Sequence, residues 1–400
     1  MISVAEAIVL VEQHTPKPQG ALHSLSTAAG LVLAQNYNAS EDSPRFTNSA
    51  MDGFAVRFAD ILPHIRLLIT GESSAGNAAQ SALAANTVIR ISTGALLPLG
   101  ADTIVPLEDC LVEADEMQVR KHPTQGQFVR RQASEYAIGA PILRNGDELT
   151  PARIAMAAQH GLTELSVFPP PSVALLSTGN ELVEAHETPI GTQIRNANVP
   201  MLAAAIRQSG ARLAHTSHVK DDFEQVCEAL AEAVRLADVV VTTGGASVGE
   251  HDFIKQTAQT LGFETIFWRI RQKPGKPMFF AKRTLEGRTT LLFGLPGNPV
   301  STLMTFLYYV QPTLARMMGK NLAQRRTQAR ISTDLANMHG RAEFVRVRLI
   351  KEQGNEIPLA VPLPKQDSAM LTSMTEADGF VFLDVEARVE AGSLVNVQEF

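Results

Sequence analysis

The sequence predicts a multidomain α/β protein. A central parallel-sheet α/β domain is flanked by an inserted β domain, an N-terminal helical and linker domain, and a C-terminal small β domain. Three observations carry this expectation. Strand-like and helix-like runs alternate from Val173 to Met318, the pattern of a parallel sheet with right-handed crossovers. From Gly53 to Arg131, short β-like runs separated by turn residues replace that alternation, and such runs return over 329–400. The triplet Pro169-Pro170-Pro171 is a stiff linker and marks the clearest boundary. The domain bounds expected are 1–45 with 136–168, then 46–135, 169–322 and 323–400.

Taken in order, residues 3–13 repeat apolar side chains at helical spacing, and Pro16 and Pro18 close the run. Leu25 to Ala34 reads as a second helix-like run, and Asn36 to Asn48 as irregular chain. The β-like runs of the inserted domain are 54–56, 66–69, 87–91, 103–105, 117–119 and 127–129. Pro141 to Thr150 reads as a strand and a turn at Asn145-Gly146-Asp147. Thr150 is then an N-cap, with Pro151 at the first helical position. Beyond the prolines, strands are expected at 173–176, 212–215, 239–242 and 289–293. Helices are expected at 200–209, 223–236, 252–261 and 300–318. The basic run Gln324-Arg325-Arg326-Thr327 reads as a linker before strands at 344–350, 380–383 and 394–397.

The 400 residues are 45% hydrophobic and 19% charged, enough apolar material for several cores. The formal net charge is −6, which argues against nucleic acid as a partner. An anionic ligand would therefore need a local basic cluster. Two distant cysteines, Cys110 and Cys227, make neither a disulfide framework nor a zinc motif, and suit a reducing cytoplasmic setting. The first residues carry acids at Glu6 and Glu12 and no basic stretch, so no secretory leader is expected. No apolar run approaches the ~20 residues that span a bilayer.

Three loops carry the candidate chemistry. Val239-Val240-Val241 leads into Thr242-Thr243-Gly244-Gly245-Ala246-Ser247-Val248-Gly249, with Asp252 beyond. Backbone N–H groups of such a turn and the positive end of the next helix form an anion cradle, to which Ser247 adds a hydroxyl. The turn is neither a dinucleotide fingerprint nor a P-loop. Lys273-Pro274-Gly275-Lys276-Pro277 holds two ammonium groups on one stiff turn, where both can face one anion. Gly294-Leu295-Pro296-Gly297-Asn298-Pro299 enters a long apolar helix. Each loop could also be an ordinary tight turn or cap. The carboxylates Asp52, Glu181, Asp221 and Asp252 are scattered, which fits a divalent ion such as Mg2+ that takes one or two carboxylates together with phosphate oxygens. No nucleophile elbow or cysteine–histidine pairing stands out.

Together with Ser49-Ala50-Met51-Asp52-Gly53-Phe54, Arg90-Ile91-Ser92-Thr93-Gly94-Ala95 and Ser177-Thr178-Gly179-Asn180-Glu181-Leu182, these loops stand in the order found in one family. The chain resembles the molybdopterin molybdenumtransferases, a family that also includes the C-terminal domain of gephyrin. That resemblance implies a molybdopterin-binding, Rossmann-like central domain and a C-terminal β-barrel. It also implies a homodimer whose active site draws on both subunits. The implied reaction joins molybdate to adenylated molybdopterin and releases AMP, with magnesium or another divalent ion assisting. A molybdopterin adenylyltransferase is an implied partner; nucleic acid and membrane are not. Catalytic roles fall by resemblance on Asp52, Glu181, Asp221, Asp252, Lys273 and Lys276, with Asp52, Asp221 and Asp252 at the metal. Substrate contacts fall on Thr93, Arg130, Gly244, Gly245, Ser247, Arg269, Pro296, Pro299, Arg346 and Ser368.

Some positions depart from the family. Gln132-Ala133-Ser134-Glu135 stands where Arg-Gly-Glu-Asp is common, so a glycine is lost and the acid is one methylene longer. Arg269 replaces a frequent lysine. These departures keep open a non-catalytic binding or scaffold paralogue. The adenylyltransferase activity itself is a third reading, against which the two β domains argue. If the carboxylates carry the reaction, Asp52→Asn or Asp252→Asn leaves the fold intact and removes turnover. AMP release at wild-type rate from both variants would defeat that assignment.

Overall fold

The protein is described from a computed structural model, which describes residues 1–79, 81–244, 253–321, 326–351, 354 and 356–400. The chain forms two compact units. Met1–His23, Gly30–Ala34 and Ser166–Phe400 make one; Ser24–Ala29 and Gln35–Leu165 make the other. Among the described residues no helix is long and apolar enough to cross a membrane.

The larger unit begins with the helix Val4–His14. Ser3 closes it with a reciprocal cap, its hydroxyl accepting from Glu6 N–H while the Glu6 carboxylate accepts from Ser3 N–H at 2.7 Å. Val4, Ala7 and Val11 form its buried stripe and pack into the core of the central sheet.

The helix expected from Leu25 to Ala34 does not form. Leu25–Thr27 makes one 3-10 turn. Gly30 then adopts φ +78, a left-handed conformation that a helix cannot continue through. Val32–Leu33 follows as a strand, paired antiparallel with Val167 and Phe168. Local apolar spacing lost there to a strand pairing formed more than a hundred residues away.

The central sheet has six strands. Their order is Arg212–Val219, Ser172–Thr178, Val239–Thr243, Arg288–Leu295, Phe279–Leu285 and Glu264–Trp268. The first four are parallel, as the alternation predicts. The last two run antiparallel and were not separately anticipated. Phe279–Leu285 is joined to Arg288–Leu295 by a tight hairpin at Glu286-Gly287, both at positive φ, a turn whose twist matches that of paired strands, and Glu264–Trp268 pairs antiparallel along its other side. Three of the parallel strands, Ser172–Thr178, Val239–Thr243 and Arg288–Leu295, are almost wholly buried, whereas Arg212–Val219 at the edge is half-exposed, and helices Asn198–Gln208 and Phe223–Leu236 link the first three strands along the chain. The long helix expected from Val300 runs as Pro299–Thr305, a π turn at Phe306–Val310, and Gln311–Met317.

The terminal β domain closes into a five-stranded barrel of Arg326–Ile331, Ala342–Ile350, Leu359–Pro362, Gly379–Leu383 and Leu394–Glu399. Closure through the pairing of Ala342–Ile350 with Gly379–Leu383 leaves no open edge among these strands. Arg326 and Thr327, expected in a linker, already belong to the first barrel strand. Residues 322–325 lie outside the described residues.

The smaller unit holds a six-stranded sheet. Its order is Thr103–Pro106, Gly53–Val56, Thr87–Ile91, Arg66–Ser73, Glu116–Val119 and Cys110–Glu113. Phe54, Val56, Leu67, Val88, Val105 and Met117 fill one face. The strand expected at 127–129 starts instead at Val129, because Phe128 sits at φ +57 in a turn. Burial pushes the Cys110 thiol up to about 12, so it is an inert core residue. Thr150 caps Pro151–Gln159 as expected, accepting from Arg153 N–H.

At the divergent segment, Ala133 holds φ +59, a left-handed conformation that costs a residue with a side chain about 1–2 kcal/mol. Glu135 is engaged with a distant part of the chain, its carboxylate accepting from the Ser43 hydroxyl at 2.6 Å. The lost glycine therefore left its backbone conformation behind. Ala133→Gly is expected to stabilise the protein by about 1 kcal/mol, offset in part by greater freedom of the unfolded chain. A lower melting temperature for the glycine variant would contradict this.

Candidate active site

The strand Ser172–Thr178 lies between Arg212–Val219 and Val239–Thr243, so the chain winds away from it in both directions. In open α/β sheets, ligands bind at the carboxyl ends of strands at such a point. Two threonines mark those ends, Thr178 and Thr243, both buried. Gly244 follows at φ +85, and a Cβ on it would stand 2.2 Å from the Thr178 carbonyl oxygen. Only glycine lets these two strand ends close up.

Asn198 ties the neighbouring loop to the same place. Its amide donates to the Thr243 hydroxyl at 2.9 Å and to the Gly297 carbonyl at 2.7 Å. Thr243 and Thr302 hydroxyls both donate to the Pro296 carbonyl. Thr178 Oγ1 and Asn198 Oδ1 are buried with no partner among the described residues. On the other side of the crevice, Asn180 and Asp221 exchange backbone-to-side-chain hydrogen bonds of 3.3 and 3.2 Å. Glu181 is exposed there, its carboxylate folded close over Gly179.

A cavity of about 470 Å³ opens beside this crevice. The turn 273–277, the loop 296–298, Arg341 and the segment 366–368 line it. Lys273, Lys276, Pro296 and Ser368 all line this cavity. The lysines differ in state. Lys273 is paired to Glu343 at 2.9 Å, whereas Lys276 is exposed, with no carboxylate partner among the described residues.

The turn is held from below. Gln272 is 1% exposed; its amide donates to the Pro274 carbonyl at 3.1 Å and its oxygen accepts from the Tyr309 hydroxyl. Burial raises the Tyr309 pKa well above the ordinary tyrosine value, which keeps that hydroxyl a donor. Gly275, at φ +95, lies where a Cβ would meet Gln272 Nε2 at 2.5 Å. Ser368 is set as a donor, because its hydroxyl accepts the Asn298 amide at 3.0 Å and keeps its own proton for the cavity.

The remaining candidates fall elsewhere. Arg346 is fully buried one layer behind the cavity wall, where Nη2 donates to the Asp367 carbonyl at 3.3 Å while Nε and Nη1 have no partner. Burial lowers its pKa, and Asp367 and then Glu343 oppose the shift. Arg269, at φ +70, lies over the Trp268 ring at 3.8 Å and does not line the cavity. Pro299 opens the helix Pro299–Thr305. Gly245, Ser247 and Asp252 lie outside the described residues.

In the smaller unit, Asp52 and Thr93 meet. The carboxylate accepts Thr93 N–H at 2.6 Å and the Thr93 hydroxyl at 2.9 Å. Arg130 is exposed on Val129–Arg130, opposite Asn48. No group of three histidine, cysteine or acidic residues is placed to hold a metal among the described residues. Sequence reasoning missed Gln272, Arg341, Gln366 and Asp367. All four reach the cavity or its supports through barrel contacts that no local pattern announces.

An α/β domain with a ligand crevice at its switch point, joined in one unit to a small closed barrel, defines a multidomain cofactor-binding protein. Three family profiles match in order: the "MoeA N-terminal region (domain I and II)" over 2–161, the "Probable molybdopterin binding domain" over 174–316, and the "MoeA C-terminal region (domain IV)" over 328–400. The chain is 32% identical to the molybdopterin molybdenumtransferase of Haemophilus influenzae, covering 100% of this chain and 99% of that one. It is 33% identical to the Synechococcus elongatus molybdopterin molybdenumtransferase, over 92% and 91%. A solved molybdopterin biosynthesis protein from Pyrococcus horikoshii superposes with a TM-score of 0.83 at 28% identity, covering 100% and 99%. The chain belongs to the molybdopterin molybdenumtransferase family.

Thr93 N–H and then its hydroxyl draw the Asp52 carboxyl below the ordinary aspartate value. A depressed acid contributes stability above its unfolded-state value, and that contribution fades as pH falls through the lower folded value. Asp52 is thus ionised across the neutral range. Thr93→Val is expected to raise the Asp52 midpoint in an NMR titration, yet not fully, because the backbone donor remains. An unchanged midpoint would refute this bonding pattern.

Proposed function

We infer that this chain is a molybdenum-inserting transferase that joins molybdate to molybdopterin in molybdenum-cofactor synthesis. The names carried by its full-length relatives support this reading. The observation that carries it is the cavity where Lys273, Lys276 and a donor-oriented Ser368 converge beside the crevice at the switch point of the sheet.

Molybdate is a tetrahedral dianion and enters as substrate. Lys276 and Ser368 bind its oxygens, while Lys273, braced by Glu343, adds positive potential without a free swing of its side chain. Arg346 contributes charge from behind the wall. The second substrate is adenylated molybdopterin, whose phosphates take the Gly244 turn and the Asn198–Gly297 side of the crevice. Holding both reactants in adjoining hollows converts their meeting into an intramolecular step. The phosphoanhydride P–O bond then breaks under attack by an oxygen nucleophile, and AMP leaves.

A divalent ion fits the donor set in part. Asp221 has one carboxylate oxygen with no protein partner among the described residues, a hard donor of the kind magnesium takes. Asp221 would hold the ion, which when bound would polarise the phosphoanhydride. The metal roles of Asp52 and Asp252, the substrate roles of Thr93, Arg130, Arg269, Gly245 and Ser247, the shared homodimer site and the cytoplasmic location rest on the resemblance.

The test is incubation with adenylated molybdopterin, magnesium and molybdate. AMP release that requires molybdate is expected; tight binding without AMP release would instead favour a non-catalytic scaffold. Lys276→Gln should keep the melting temperature and raise the molybdate concentration for half-maximal AMP release about tenfold, as loss of a charge-assisted contact requires. An unaltered molybdate dependence would remove Lys276 from the oxyanion site.

A further inference from the structure

We propose that His218 is a positioning residue for the crevice at the switch point. Its neutral imidazole, accepting at Nδ1 from Ser177, fixes the start of the helix Asn198–Gln208 and, through it, the Asn198 clamp beside the adenylated substrate. The proposal rests on the reading that this substrate occupies the crevice, and it concerns residues to which that reading assigns no role.

Three polar side chains make the link. Ser177 and His218 stand opposite one another on neighbouring parallel strands. Ser177 Oγ and His218 Nδ1 are 2.9 Å apart. Asn196 donates from its amide nitrogen to the same Ser177 oxygen at 2.9 Å, and its Oδ1 accepts from Val199 N–H at 3.2 Å. Ser177 and Asn196 are buried, and His218 is half-buried.

These contacts assign the protons. Val199 N–H is a fixed donor, so the oxygen of Asn196 faces it and the amide nitrogen faces Ser177. Ser177 Oγ therefore accepts from Asn196, and its own proton has one acceptor among the described residues, His218 Nδ1. Nδ1 must then be bare, with the imidazole neutral and its proton on Nε2. A proton on Nδ1 would leave the Ser177 hydroxyl proton buried without an acceptor, which is costly.

The link reaches the crevice from two sides. Ala197, at the N-cap of the helix Asn198–Gln208, has no side-chain acceptor to offer, and Asn196 supplies one to the first turn instead. Asn198 begins that turn and clamps the Thr243 hydroxyl to the Gly297 carbonyl across the crevice wall. On the other side, Asn180 and Asp221 each stand three residues beyond a partner of the Ser177–His218 bridge and exchange hydrogen bonds of their own. The bridge thus ties together the two strand ends and the helix start that shape the crevice.

The experiment is steady-state AMP release by the full chain, with adenylated molybdopterin and molybdate varied in turn at saturating magnesium. His218→Leu and Ser177→Ala remove the bridge. Each should raise KM for adenylated molybdopterin about tenfold with kcat within about twofold of wild type, the sign of lost binding rather than lost chemistry. The molybdate concentration for half-maximal release should not move, because the turn 273–277 takes no support from this link. An asparagine oxygen reaches the place of Nδ1, whereas a glutamine oxygen reaches the place of Nε2. His218→Asn should therefore bring KM back to within about twofold of wild type, and His218→Gln, nearer in volume, should not. Long-range 1H–15N NMR of the histidine-labelled wild type should show Nδ1 bare and Nε2 protonated at neutral pH, a readout independent of turnover. A protonated Nδ1, a wild-type KM in His218→Leu, or rescue by glutamine and not by asparagine overturns the role of His218. The tautomer and the asparagine–glutamine contrast decide the matter even where His218→Leu lowers the melting temperature. A wild-type protein with the expected tautomer but no molybdate-dependent AMP release overturns the proposed function instead.

Discussion

The buried amide of Gln272 is the interaction on which the cavity depends. It lies one residue before the turn that carries both lysines, accepts from Tyr309 in the long helix and donates to the Pro274 carbonyl inside the turn. Its own strand pairs with the barrel at Ala342. One side chain therefore joins helix, turn and barrel at a place where water is excluded. Buried polar groups of this kind are costly when half-satisfied and rigid when complete. Here both ends of the amide are used, and the left-handed Gly275 gives the ring of contacts the room it needs.

Charge is arranged around that support in two tiers. Lys273 is braced by its ion pair with Glu343, and Arg346 lies buried behind the wall with Asp367 and Glu343 nearby. Lys276, Arg341 and the Ser368 hydroxyl stand towards the cavity with capacity to bind. Arg346 is the extreme case: it has no exposure, and two of its nitrogens lack partners, a position that would be hard to sustain without nearby acids. Pre-oriented charge of this sort stabilises charged ligands without reorganisation when they arrive.

Much of this was legible in the chain. The four parallel strands and the cap at Thr150 follow from short local patterns, while Lys273, Lys276, Pro296 and Ser368, singled out by family motifs, line one cavity. These are features whose cause is local: a period, a cap, a turn. The expected helix at Leu25–Ala34 failed because a left-handed glycine and a distant strand overruled apolar spacing. The antiparallel strand Phe279–Leu285 is not legible because a Glu-Gly turn is a weak signal beside the longer α/β rhythm.

By itself the sequence determined the class of fold, the family and two of the loops that line the cavity, since each depends on residues close together along the chain. Only the tertiary structure decided which charges are spent on one another and which face the cavity. Glu343 neutralises Lys273, Asn337 orients Arg341 and Asn298 sets the Ser368 proton, through contacts spanning between 4 and 70 residues of chain. Pairing energies depend on separation in space and on burial, and most of those separations arise from the way the barrel is joined to the central sheet.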